Sequence, residues 1–246
     1  MKPIPMLFKG AMVRAILDGT KTQTRRVLKV DADDLPYVGS WHEREDGRPF
    51  VVFQDAPGDQ VISRLQYNVP YAPGDLLWVR EEWSAPREYR GVTPREMPPG
   101  IPIWYWADGN PGYGDWTKPK VSLHIPMWFS RLTLEVTDVR VQRLHEISED
   151  DALAEGIIWS DKWRGFIVPK VEHPNKDFPV LSRPTAREMY AALWDTINGS
   201  GEWLANRWIV AVTFKVHRLN VLNVMESLKN VGDRISPDLA GSHPAL

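Results

Sequence analysis

Residues 9–27 read KGAMVRAILDGTKTQTRRV, and the change of character halfway along this stretch decides what fold the chain can form. Met12, Val13, Ile16 and Leu17 fall at helical spacing, which predicts a short helix over Lys9–Leu17. Gly19 stands where a helix end calls for a left-handed residue. Beyond it, Lys21 to Val27 is rich in β-branched and long polar residues and reads as a strand leaving the helix. Lys21 and Thr24 differ by an odd number of positions, so a regular strand turns them to opposite faces.

Working outward, Ile4 to Phe8 is a short apolar strand on the N-terminal side. Pro73-Gly74-Asp75 is a turn signal that opens the buried strand Leu76-Leu77-Trp78-Val79. Ile103 to Ala107 reads as a further strand. From Ser130 to Leu144, Leu132, Leu134 and Val136 alternate with Thr133, Glu135 and Thr137, the mark of a half-buried strand. Ser148 caps a short helix with acids in its first turn, which reaches Glu155 and stops at Gly156. Pro184 to Ile197 is an amphipathic helix with Met189, Leu193 and Trp194 on one side. Trp208 to Val216 alternates again and supplies a closing strand.

Two stretches stand outside this frame, residues 31–72, with Val51 to Phe53 as a hairpin arm, and residues 159–182. The chain is therefore read as one domain over 1–219 with two insertions, followed by a peripheral tail at 220–246. The order is β-rich and mixed, not an alternating βα fold.

Composition narrows the function classes. The 246 residues carry a formal net charge of -2, so no global field draws the chain onto duplex nucleic acid. There are no cysteines, which removes thiolate metal sites and cysteine nucleophiles. The 6 histidines are scattered without metal-ligand spacing, so neither metal nor cofactor is expected. The N-terminal MKPIPM is too short and proline-rich for a signal-peptide core, no apolar run approaches membrane-spanning length, and a cytoplasmic protein is expected. Twelve tryptophans is a high number for one chain; core filling is their plainer reading, and some are candidates for stacking on bases.

Gly19-x-Lys21-x-x-Thr24-x-Arg26 resembles the signature of the ASCH family, in which a helix ends in such a motif. The turn and strand Pro73 to Val79, the short helix from Ser148 to Glu155-Gly156, and the closing strand Ile209 to Phe214 match later elements of that family in order. The Thr-Arg-Arg and Trp-Val-Arg-Glu-x-Trp runs are similar to phage- and prophage-borne members. The resemblance implies an α+β fold: a PUA-like mixed β-barrel with short helices at its ends. Among its members, the threonine version of the motif resembles small amidohydrolases that remove the acetyl group from N4-acetylcytidine. That resemblance places the catalytic lysine, threonine and glutamate on Lys21, Thr24 and Glu155.

The residue types suit the reaction. A threonine hydroxyl becomes nucleophilic when a neighbouring base takes its proton, and a desolvated lysine can serve. A carboxylate can protonate the leaving amine or activate water. Arg26 is a candidate to hold the carboxylate or the substrate carbonyl. Arg80 and Glu82 are candidates for the same cavity wall, with a surface ion pair as the plainer reading. Trp78 is a candidate to stack a base, with core packing as its plainer reading. The partner expected is a small acylated nucleoside, and single-stranded RNA is a second candidate. A non-catalytic RNA-binding module and a ribonuclease are the rival functions. On this reading Lys21 and Glu155 are pocket residues and not core.

Overall fold

The runs Leu76–Val79 and Ile209–Val212 are too continuously apolar for a sheet with one wet face, and both become strands covered on two sides. The computed structural model describes residues 3–30, 35–169 and 182–235. The first elements are β1 (Ile4–Leu7), α1 (Gly10–Leu17) and β2 (Gln23–Val27). Three strands follow, β3 (Tyr37–Glu43), β4 (Pro49–Gln54) and β5 (Arg64–Asn68), then β6 (Leu76–Arg80), β7 (Trp83–Ser84) and β8 (Trp104–Tyr105). The long β9 (Thr133–Arg143) leads to α2 (Glu149–Ala154), β10 (Ile158–Ser160) and β11 (Gly165–Ile167). The described chain ends with α3 (Ala186–Asn198), β12 (Trp208–His217) and α4 (Val221–Ile235). The architecture is mixed α+β, with several sheets and few helices.

The main sheet has the order β1-β6-β9-β12-β2. β1 lies parallel to β6, and the remaining neighbours are antiparallel. Its edges, β1 and β2, share no backbone ladder, so pairing does not close the expected barrel. The edges nevertheless meet through a side chain: Arg26 Nη2 on β2 donates to the Leu7 carbonyl on β1 at 2.8 Å. In a flat five-stranded sheet the edges would lie roughly 19 Å apart, beyond any one side chain. The sheet is therefore curled until its edges face each other.

Alternation along the strands sorts side chains into separate cores. Leu77, Val79, Leu134, Val136, Val210 and Val212 face α1 and β4, where Val13, Ile16, Val51 and Phe53 meet them. Ile209 and Ala211 point the other way, against Ile147, Met189, Tyr190 and Trp194. Leu76 and Trp78 share that second face farther along, with Trp83, Phe129, Val221 and Val224.

Most sequence-predicted elements appear within a residue or two. Ser148 Oγ accepts from the Asp151 amide, capping α2, and Thr185 caps α3 in the same way. Differences occur in the stretches read as additions. Residues 37–68 form a complete three-stranded sheet, β3-β4-β5, and not a hairpin arm. It is joined to the main core because Val51 and Phe53 are fully buried there. The tail is not peripheral at its start, because Val221 and Val224 at the head of α4 fill the third core. The second insertion opens with the β10-β11 hairpin; residues 170–181, like 31–34 and 236–246, lie outside the described residues. No described helix is long and apolar enough to cross a membrane.

Candidate active site

At the end of α1 the chain turns through Gly19, whose φ of +77° suits a residue without a Cβ. The Lys21 amide donates to the Ala15 carbonyl at 3.0 Å, which directs the lysine inward before β2 begins. Lys21 then forms an isolated antiparallel bridge with Glu155, the residue that ends α2. Gly156 makes this contact possible. A Cβ there would lie 3.0 Å from the Ala15 Cβ and 3.2 Å from the Lys21 Cβ, and its φ is +96°.

The result is a buried cluster of charges. Lys21 Nζ donates to Glu155 Oε2 at 2.5 Å and to the Glu155 carbonyl at 3.0 Å. The Lys21 side chain is 0% exposed and that of Glu155 3%. Arg25 Nη1 donates to Glu155 Oε1 at 3.2 Å and to Gln23 Oε1 at 2.5 Å. Its Nη2 pairs with Asp151 Oδ2 at 2.8 Å. Asp151 is also held by Arg140 Nη2 at 2.8 Å, which links the cluster to the surface. The Tyr190 hydroxyl on α3 is 3.4 Å from Glu155 Oε1, a weak third donor to the carboxylate.

Burial governs the electrostatics. Desolvation pushes the Lys21 ammonium below the ordinary lysine value of 10.5. Glu155 acts against that shift, while Arg26 and Arg25 add to it. The Tyr190 phenol is driven well above its usual value by burial and by the adjacent Glu155 charge, so it remains a donor. For Asp151, partial burial works upward, but Arg140 and Arg25 hold the carboxyl below the usual range.

A small cleft lies over this cluster, about 390 Å³ including its opening to solvent. One wall is the free edge of β2, with Thr24, Arg25 and Arg26; another is α3, with Tyr190, Leu193 and Trp194. Glu155 lines it and Met12 of α1 adds apolar surface. The Thr24 side chain is buried.

The structure thus gathers Thr24, Arg26 and Glu155 around one cleft. Lys21 is placed differently from the sequence expectation. It does not line the cleft but lies under Glu155, as core, and no hydrogen bond joins it to Thr24. Strand parity explains this: Lys21, Gln23 and Arg25 face the charge cluster, while Thr24 and Arg26 take the other side. Arg26 does not hold the carboxylate; it spans the sheet edges to Leu7 and lies over the Phe8 ring at 5.1 Å. The carboxylate is held by Arg25.

The remaining candidates lie elsewhere. Trp78 is buried in the third core, and the Arg80 guanidinium lies over its ring at 4.6 Å. Glu82 follows β6, and its carbonyl receives the Trp106 amide. None of these three lines the cleft. Sequence reading gave Arg25, Tyr190 and Asp151 no place in the catalytic site. The period of two from Lys21 could have pointed to Arg25, whereas Tyr190 carries no local signal. Among the described residues, no three histidine, aspartate or glutamate side chains are grouped to hold a metal ion. Comparison with protein-family models, with curated proteins and with solved structures finds no match.

Proposed function

We propose that the chain is an ASCH-type, PUA-like domain whose cleft hydrolyses the exocyclic amide of N4-acylated cytosine nucleosides. One observation carries this reading: a solvent-shielded lysine–carboxylate pair whose carboxylate lines the same cleft as Thr24. The curled sheet with facing edges supports the fold assignment, with Arg26 in place of the final ladder.

In this reading Thr24 Oγ1 attacks the acyl carbon, and its proton passes to the Lys21–Glu155 pair. The new C–O bond forms, the amide C–N bond breaks, and the pair returns the proton to the leaving exocyclic nitrogen. Water then cleaves the acyl ester, releasing the acid and restoring the hydroxyl. The chemistry requires only side chains and water. Glu155 shares the cleft with Thr24 and is the member that exchanges the proton. Lys21 stabilises it from beneath, and its lowered basicity lets the pair share a proton instead of holding it on nitrogen.

Incubation with N4-acetylcytidine, followed by chromatography for cytidine, tests the reading. Cytidine release by the wild type and its loss in Glu155→Gln are expected. No release by folded wild-type protein would reject the activity.

A further inference from the structure

Among the described residues, the buried side-chain nitrogens and oxygens without a hydrogen-bond partner are all donors. Two of the residues that carry them line the cleft: Arg25, through Nε and Nη2, and Trp194, through Nε1. Arg25 is 2% exposed and Trp194 4%. Nη1 of Arg25 donates to Glu155 and Gln23, and Nη2, itself without a hydrogen bond, is engaged in the ion pair with Asp151, which leaves Nε–H as the donor with neither acceptor nor counter-charge. The other such donors, Arg80 Nε and Trp83 Nε1, belong to residues that do not line the cleft.

A buried donor without an acceptor destabilises a fold and persists where something else uses it. The partnerless buried atoms at this cleft are all donors, which suits it to a ligand's carbonyl oxygens. Met12 and Leu193 supply apolar contact for a flat ring.

We infer that Arg25 Nε–H and Trp194 Nε1–H are the recognition donors of the cleft, Arg25 for the acyl carbonyl of the substrate and Trp194 for its ring carbonyl. The assignment rests on the proposed amidase reading. Arg25 shares Glu155 Oε1 through its Nη1 and so stands at the reacting end. Trp194 lies one helical turn beyond Tyr190 on α3, with ring centroids 6.1 Å apart, and so stands farther along. The deacylated product keeps the ring carbonyl and loses the acyl one. Cytidine therefore satisfies Trp194 and leaves Arg25 Nε–H without its acceptor, which favours product release.

The test uses ¹H–¹⁵N correlation spectra of the full chain, titrated separately with N4-acetylcytidine, cytidine and N-methylacetamide. The Trp194 indole signal is identified by its loss in Trp194→Phe, and the Arg25 Nε–H signal by through-bond assignment in the wild type. N4-acetylcytidine is expected to move both signals downfield, and cytidine to move that of Trp194 alone. Trp194→Phe should weaken binding of both nucleosides about tenfold. If N4-acetylcytidine saturates the protein and both signals stay in place, the inference fails and the amidase reading survives. If N-methylacetamide moves both signals while neither nucleoside binds, carbonyl recognition stands and the acylcytosine reading fails. If none of the three binds, both fall.

Discussion

Replacing Lys21 with methionine keeps most of the side chain's length and removes its charged head. In the wild type that head is fully buried and donates to Glu155 Oε2 at 2.5 Å and to the Glu155 carbonyl at 3.0 Å. Without it the carboxylate retains Arg25 at 3.2 Å and the more distant Tyr190 hydroxyl at 3.4 Å. Removing half of a buried pair costs about 3–5 kcal/mol, and Arg25 holds the expected loss near the lower figure, about 3 kcal/mol. For a chain of this size that lowers the melting temperature by about 6–12 °C. Urea unfolding and calorimetry measure both quantities. The double variant Lys21→Met/Glu155→Gln should recover part of the loss, because it leaves no unpaired carboxylate. A pH series adds a signed check. The folded lysine titrates below its ordinary value of 10.5, so between the two values the unfolded chain binds more protons. Wild-type stability should rise with pH through that interval, and the methionine variant should lack the rise. If Lys21→Met unfolds within about 0.5 kcal/mol of wild type, as an exposed substitution would, the buried pair is not as described here.

Thr24→Ser should retain measurable deacylation of N4-acetylcytidine and Thr24→Val should lose several powers of ten; a valine enzyme slowed only about tenfold would make Thr24 a positioning residue with water as the attacking group. Gly156→Ala should cost about 1–3 kcal/mol in denaturant unfolding, because it places a Cβ 3.0 Å from that of Ala15 at a φ of +96°; a neutral result would show that α1 and α2 do not meet so closely. Asp151 titrates below its ordinary 3.8 when folded, so its contribution is present above that pH and is lost as acid takes it through the folded value. Asp151→Asn should flatten this acid limb in a pH series of melting temperatures, and an unchanged limb would mean that Arg140 and Arg25 do not hold it. Tyr105 is raised by burial from 10.0 to about 12, so its share of stability should vanish as pH climbs through that range, a loss absent in Tyr105→Phe.

Local patterns determined much of what the chain does near itself. The apolar spacing of Met12, Val13, Ile16 and Leu17 specified α1, Ser148 and Gly156 bracketed α2, and the alternation of Leu132, Leu134 and Val136 specified β9. Even the division of Lys21 from Thr24 followed from strand parity, since side chains two apart share a face whatever the sheet around them. The strand order of the sheet lay beyond such patterns, and the site depends on it. Glu155 meets Lys21 and Arg25 across 134 and 130 positions because β2 lies beside β12 at the sheet edge, where α2 and α3 cover it. Tyr190 joins them only because α3 docks on that face. Trp78, Arg80 and Glu82 followed a suggestive motif but belong to the far end of the sheet, where alternation turns Trp78 into another core. Helix and strand periods act over a few residues and are written in the sequence. Which buried charge finds which partner depends on how distant apolar faces stack, and only the tertiary structure decided that.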